Sequence, residues 1–162
     1  MADDNAAGTA AQPPKQEFSI QKVYLRDVSF EGPNSPQLFA EGKWEPTINL
    51  QLGTTNRQVG ENFYEVTLAV SVSAKIGDKT AYLIEVQQAG VFRLSGFGKE
   101  ELGPMLGSFC PNILFPFARE EVAVLATKGG FPQLLLEPIN FDAVYAQGLQ
   151  QRQPAAPATA DA

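Results

Sequence analysis

A lone cysteine, two adjacent glutamate pairs and a short glycine motif are the residues of this chain that could carry covalent or ligand chemistry. Cys110 stands directly before Pro111, near a predicted helix start that can lower a thiol pKa. The chain holds no histidine and no second cysteine, so the thiol lacks both a base and a partner, and burial is its expected fate. The same absence removes a His/Cys zinc site, a Ser-His-Asp triad and a Cys-His pair. Glu100-Glu101 and Glu120-Glu121 are adjacent on predicted helices, so their side chains diverge and cannot flank a scissile bond. They read as solvated faces. Gly96-Phe97-Gly98 opens like a dinucleotide fingerprint, but Glu101 occupies the place of the third glycine and the preceding strand belongs to a hairpin. A strand-to-helix turn is expected there. No catalytic residue, metal or cofactor is expected, and an unrecognised carboxylate enzyme would need two acids converging in a cleft.

Two other patterns point to binding. Asp27 and Glu31 are four apart on a predicted strand and share a face with Ser29, while Leu83 and Glu85 share a face of another. If these strands are neighbours, the residues form an acidic patch with an apolar centre; an ordinary charged sheet surface is the plainer alternative. The segment Gly32 to Pro46 holds three prolines yet also Leu38, Phe39 and Trp44, and Phe131 to Pro138 is again apolar. Either these loops close over the core, or they form an open apolar groove. Formal charge is -6, from 12 Lys plus Arg and 18 Asp plus Glu, with the basic residues scattered. Nucleic acid is therefore not an expected partner, whereas a basic protein is attracted over long range.

The elements that must position these residues fit one domain of 162 residues. Residues 1–16 and 153–162 are rich in Ala, Gly, Gln and Pro and read as disordered tails around a body at 17–152. From Tyr64 to Ile76 the even positions are apolar and most odd ones polar, which predicts a half-buried strand. Gly77-Asp78 turns it into a partner strand from Lys79 to Leu94. Ile48, Leu50 and Leu52 mark another strand. Phe18 to Phe30 is a fourth with two apolar faces, Tyr24, Val28 and Phe30 on one and Val23 and Leu25 on the other. Lys99 to Leu106 and Pro111 to Lys128 have helical spacing, with Pro116 as a perturbation and Gly129-Gly130 as the stop. Asn140 can cap a last helix to about Arg152 with Phe141, Val144, Tyr145 and Leu149 inward. The result is an α+β fold, an antiparallel sheet with helices on one face. So short a chain cannot cover both the long helix and the two-sided strand, so self-association is expected. The N-terminus lacks a basic and an apolar region, no apolar run approaches the roughly 20 residues of a membrane span, and the single cysteine suits a reducing compartment; a cytoplasmic protein is expected.

Four ordered segments resemble a known family. Asp27-Val28-Ser29-Phe30-Glu31-Gly32-Pro33, Glu85-Val86-Gln87-Gln88-Ala89-Gly90, the run from Cys110 to Arg119, and Phe131-Pro132-Gln133-Leu134 with Asn140-Phe141-Asp142-Ala143 are similar to hallmark segments of SecB, a bacterial protein-export chaperone. The resemblance implies a Greek-key-like four-stranded sheet assembled into a homotetramer, a dimer of dimers. Joined sheets then make one interface and the long helices another, with Leu106, Ile113, Leu114, Phe117, Val122 and Leu125 facing a neighbour. It implies unfolded precursor proteins as clients, held without ATP, without insertion into a membrane, and passed to the ATPase SecA. SecA contact falls on Asp27, Glu31, Leu83 and Glu85, with an addition from the C-terminal tail. The client groove falls on Phe39, Trp44, Phe131, Leu134, Leu136 and Phe141. A small-molecule, lipid-like binding protein is the alternative from a different class.

Overall fold

Strict alternation makes the central hairpin, and the rest of the sheet is built outward from it. The computed structural model describes residues 11–152. Strands β1 (Glu17–Glu31), β2 (Thr47–Gly60), β3 (Phe63–Ile76) and β4 (Lys79–Ser95) form one antiparallel sheet in the order β1-β4-β3-β2. Val66, Leu68, Val70 and Val72 of β3 and Tyr82, Ile84 and Val86 of β4 are at most 1% exposed, so one face of the hairpin is fully dry. Strand β1 returns beside β4 as in a Greek key. The connection from Gly32 to Pro46 must therefore travel from one sheet edge to the other, which explains its apolar content. Its 3-10 turn, Gln37–Ala40, buries Leu38.

The two-sided reading of β1 needs a correction. Register shifts fall between Ile20 and Lys22 and between Leu25 and Asp27. Each bulge admits one unpaired residue and resets the alternation. Phe18, Ile20, Val23, Leu25, Val28 and Phe30 consequently share the face of Ile84, Val86, Gly90 and Phe92, while Tyr24 joins Asp27 and Glu31 on the other. Strand β1 thus has one apolar face, not two. Because it is an edge, Ile20, Leu25 and Val28 remain substantially exposed.

Helices cover the apolar face. Helix α1 (Lys99–Pro104) runs through a π turn at Met105–Phe109 into α2 (Cys110–Lys128). The Cys110 N–H reaches back to the Met105 carbonyl, and Pro111, which has no N–H, then falls in the first turn of α2, where none is needed. The predicted break between two helices is thus a change of pitch. The strand-to-helix turn forms as expected: Gly96 has φ +78°, and Glu101 accepts a 3.0 Å hydrogen bond from the Gly98 N–H. Lys15 and Gln16, expected in the tail, lie on the body, Gln16 donating to Glu101 at 2.7 Å. The remaining expectations for residues 1–10 and 153–162 lie outside the described residues.

Helix α2 carries two apolar stripes where the sequence suggested one. Leu114, Ala118, Val122 and Ala126 are 0% exposed against the sheet, and Leu106 is buried beside them. Leu106, Leu114 and Val122 therefore belong to the subunit's own core, not to its outer surface. Phe109, Phe117 and Val124 form the outward row, with Ile113 and Leu125 half-buried at its margin. Helix α3 (Phe141–Arg152) starts at Asn140, whose Oδ1 accepts the Ala143 N–H at 3.1 Å. It rides on the π turn rather than on the sheet: Tyr145 lies against Gly103 and Gly107, and Ser108 donates to Asp142. Phe141 is buried, but Val144 and Leu149 are exposed instead of facing inward.

Candidate binding surfaces

The two apolar loops meet. Phe131 packs at a tilt, 5.2 Å between ring centroids, against each of Phe39, Trp44 and Tyr82, and Tyr82 also packs against Trp44 and Phe30. Glycines let this cluster form at the end of α2. A Cβ on Gly129 would lie 2.2 Å from the Phe30 ring, and Gly130 has φ +87° beneath Phe39. Between the loops lies a trough of about 190 Å³ lined by Leu38, Phe39, Gly42, Trp44, Phe131 and Pro132, among others. Its rim is open, for Phe39 is 51% exposed and Trp44 half-buried. Its floor is formed by the buried side chains of Leu38 and Phe131.

Of the six groove residues expected from sequence, Phe39, Trp44 and Phe131 come together here. Leu134 is half-buried and Leu136 buried. Between them Leu135, which sequence reasoning passed over, is 66% exposed. An extended segment alternates sides, and that parity was the available signal. Phe141 belongs elsewhere: it packs at 5.7 Å on Phe115 at the start of α3 and lines a separate hollow with Met105, Phe109 and Ile139. Tyr82 lies in the core, as its parity indicates, fully buried behind Phe131. Its hydroxyl is buried with no partner among the described residues, and burial pushes its pKa up.

On the opposite face of the sheet, the register brings the acidic residues together. Glu31 pairs with Leu83, Ser29 with Glu85, and Asp27 with Gln87. Asp27, Glu31 and Glu85 are exposed and Leu83 is half-buried. Among the described residues none of the three carboxylates has a cationic partner. The patch is thus a cluster of unneutralised negative charge around one leucine.

The same face holds a polar knot that sequence reasoning did not find. Glu65 on β3 accepts hydrogen bonds from Arg26 and Arg57, each at 2.9 Å, and from the Tyr24 hydroxyl. It is 8% exposed. Hydrogen bonds from Arg57 and Tyr24 hold its carboxyl below the usual carboxylate range. Tyr24 moves the opposite way, raised by burial and then by Glu65. Glu65 occupies a polar position of an alternating strand, so without the strand register nothing marked it as buried. Cys110, by contrast, behaves as expected: it is 0% exposed, and burial pushes its thiol up to about 12.

Comparison with known proteins decides the family. The family model described as preprotein translocase subunit SecB matches residues 11–152. The chain belongs to the SecB family. It is 58% identical over 157 residues to the protein-export protein SecB of Nitrosococcus oceani, covering 96% of each chain. With the SecB of Methylococcus capsulatus it shares 55% identity over 150 residues, covering 90% of this chain and 96% of the relative. Among solved structures, a Mycobacterium tuberculosis SecB-like chaperone in complex with an antitoxin peptide has the same fold, with TM-score 0.62 and 18% identity over 75% of this chain and 90% of that one. Among the described residues no helix is long and apolar enough to cross a membrane.

Proposed function

We propose that this SecB-family protein is an ATP-independent holdase that keeps unfolded precursor proteins in an export-competent state in the cytoplasm and delivers them to SecA. The observation that carries the reading is the trough between the Trp44 and Phe131 loops, with an open aromatic rim over a closed apolar floor. At about 190 Å³ it is smaller than the roughly 300–1,000 Å³ of an ordinary small-molecule pocket. It suits side chains presented one or two at a time by an extended polypeptide better than a whole lipid-like ligand.

The working particle is a homotetramer, a dimer of dimers. Support comes from apolar surface that one subunit leaves uncovered: Ile20, Leu25 and Val28 along edge strand β1, and Phe109, Phe117 and Val124 on the outer row of α2. An open sheet edge with apolar side chains invites pairing with a second copy. Four troughs on one particle would engage a single long client through several weak contacts, so avidity replaces any one strong contact. Each contact alone breaks readily, and no nucleotide is needed for exchange. SecA would dock on the patch of Asp27, Glu31, Leu83 and Glu85, whose unneutralised charge steers a basic segment toward it.

Native mass spectrometry with and without a chemically unfolded client is the direct test. The expected result is a particle of four 17.5 kDa chains that binds client and suppresses its aggregation without ATP. A monomer without that activity would falsify the proposal. For the patch, Glu85→Lys is expected to weaken SecA binding and leave client binding intact; equal loss of both would mean a folding defect.

A further inference from the structure

The acidic patch continues into a shallow trough across the same face of the sheet. Below Glu85, a depression of about 320 Å³ is lined by Gln51, Gly53, Ala69, Ser71, Glu85 and Gln87. Next along the strands lies a polar pocket of about 260 Å³ lined by Arg26, Thr55, Asn56, Arg57, Glu65 and Thr67. The register makes the two contiguous, since Gly53 pairs with Ala69 and the next residues facing the same way, Thr55 and Thr67, pair with each other.

Gly53 forms the floor, and the fold does not require it. Its backbone has no positive φ, and a Cβ built there would meet nothing closer than the Ala69 Cβ at 3.9 Å, an ordinary contact. A glycine inside a strand costs stability relative to residues with side chains, and one without a backbone reason often marks the close approach of another chain. Charge gives the approach a direction. Glu31 and Glu85 lie above Gly53 and Asp27 is in register with it through Gln87 and Ala69, and among the described residues none of the three carboxylates has a cationic partner. At the lower end two guanidiniums share one carboxylate, so the cluster of Arg26, Arg57 and Glu65 keeps a net positive charge. Arg26 engages Glu65 through Nη1 and Arg57 through Nε, leaving their other N–H groups beside the pocket, and their side chains are 46% and 65% exposed.

We infer that the trough is a two-ended cradle for an extended polypeptide that places basic residues on Asp27, Glu31 and Glu85 and a carboxylate on Arg26 and Arg57, with its backbone crossing over Gly53. Ser71, opposite Glu85, and Glu65 are six residues apart on β3, roughly 20 Å at about 3.4 Å per residue. The basic and acidic groups of the guest are therefore about six residues apart. The inference rests on the reading of the acidic patch as a docking site, and it adds a specificity element: a purely basic segment fills only half of the cradle.

The test uses the full-length protein and two synthetic peptides, one with two lysines followed six residues later by an aspartate, the other with asparagine in place of that aspartate. Binding is read by fluorescence anisotropy and stability by thermal melting. Wild type is expected to prefer the aspartate peptide by about two- to fivefold, the upper part of what an exposed charge pair contributes. Arg57→Gln, which leaves Glu65 bonded to Tyr24 and Arg26, should erase the preference without weakening the asparagine peptide. Gly53→Val should weaken both peptides at least fivefold while the melting temperature holds or rises. Equal binding of the two peptides by wild type, or unimpaired binding by Gly53→Val, would overturn the inference. If that happens while Glu85→Lys still loses both peptides, the patch reading survives alone; if Glu85→Lys binds both normally, the patch reading fails as well. A change of particle mass in Gly53→Val would assign the trough to a contact between copies and also overturn it.

Discussion

Truncating Phe39 separates an open groove from a sealed one. An aromatic side chain covers about 150–250 Å² when buried, and Phe39 is 51% exposed, so roughly 100 Å² is available to a client. At about 25 cal/mol per Å² that surface contributes at most ~2.5 kcal/mol to binding. Ordering a client side chain takes back ~0.5–1.5 kcal/mol, which leaves ~1–2 kcal/mol, or about tenfold in affinity at one trough. The fold also loses the covered half of the ring, which includes its pair with Phe131, at about half the cost of a fully buried phenylalanine, ~1.5–2.5 kcal/mol. Phe131 is the reverse case: at 6% exposure, its removal should cost ~3–5 kcal/mol of stability. Anisotropy of a labelled, permanently unfolded client, read beside thermal melts of Phe39→Ala and Phe131→Ala, supplies both quantities. Should Phe39→Ala hold its client as tightly as wild type while melting as early as Phe131→Ala, the rim is part of the core and the groove does not exist.

The two stripes of α2 should separate in the same way: Leu114→Ala is expected to lower subunit stability by ~2–5 kcal/mol, whereas Phe117→Asp, on the outward row, should shift the native mass distribution toward smaller particles with the circular dichroism spectrum unchanged. Glu65 should give a pH signature. Its carboxyl is held low in the folded state, so its stabilisation is complete above the unfolded value of ~4.3 and fades as pH falls through the folded value; melts between pH 6 and 3 should show a weaker pH dependence in Glu65→Gln than in wild type. Gly107→Ala would place a Cβ 2.4 Å from the Tyr145 ring, and faster hydrogen exchange confined to α3 is the expected readout.

Much of this was legible because period and parity are local. The β3–β4 hairpin, the cap at Asn140 and the acidic patch need only alternation, helical spacing and the assumption that β1 and β4 are neighbours. What stayed hidden depends on information no single segment holds. The bulge at Arg26 moves Tyr24 to the other face, and no residue type there announces it. Helix α2 has buried and exposed apolar rows side by side, so Leu114 and Phe117 look alike in sequence although one is 0% and the other 46% exposed. Glu65 looks like an ordinary solvent-facing glutamate until β2 and β1 bring Arg57 and Arg26 onto it.

The order of the strands also governs how the chain comes off the ribosome. Strand β1 is made first, yet its partner is the last strand of the sheet: Glu17 waits for Ser95 and Glu31 for Leu83. At roughly 5–20 residues per second, β1 spends several seconds as an unmatched apolar ribbon while the three-stranded meander β2-β3-β4 is completed behind it. During that interval the newborn chain has the same exposed character as the polypeptides it is proposed to guard.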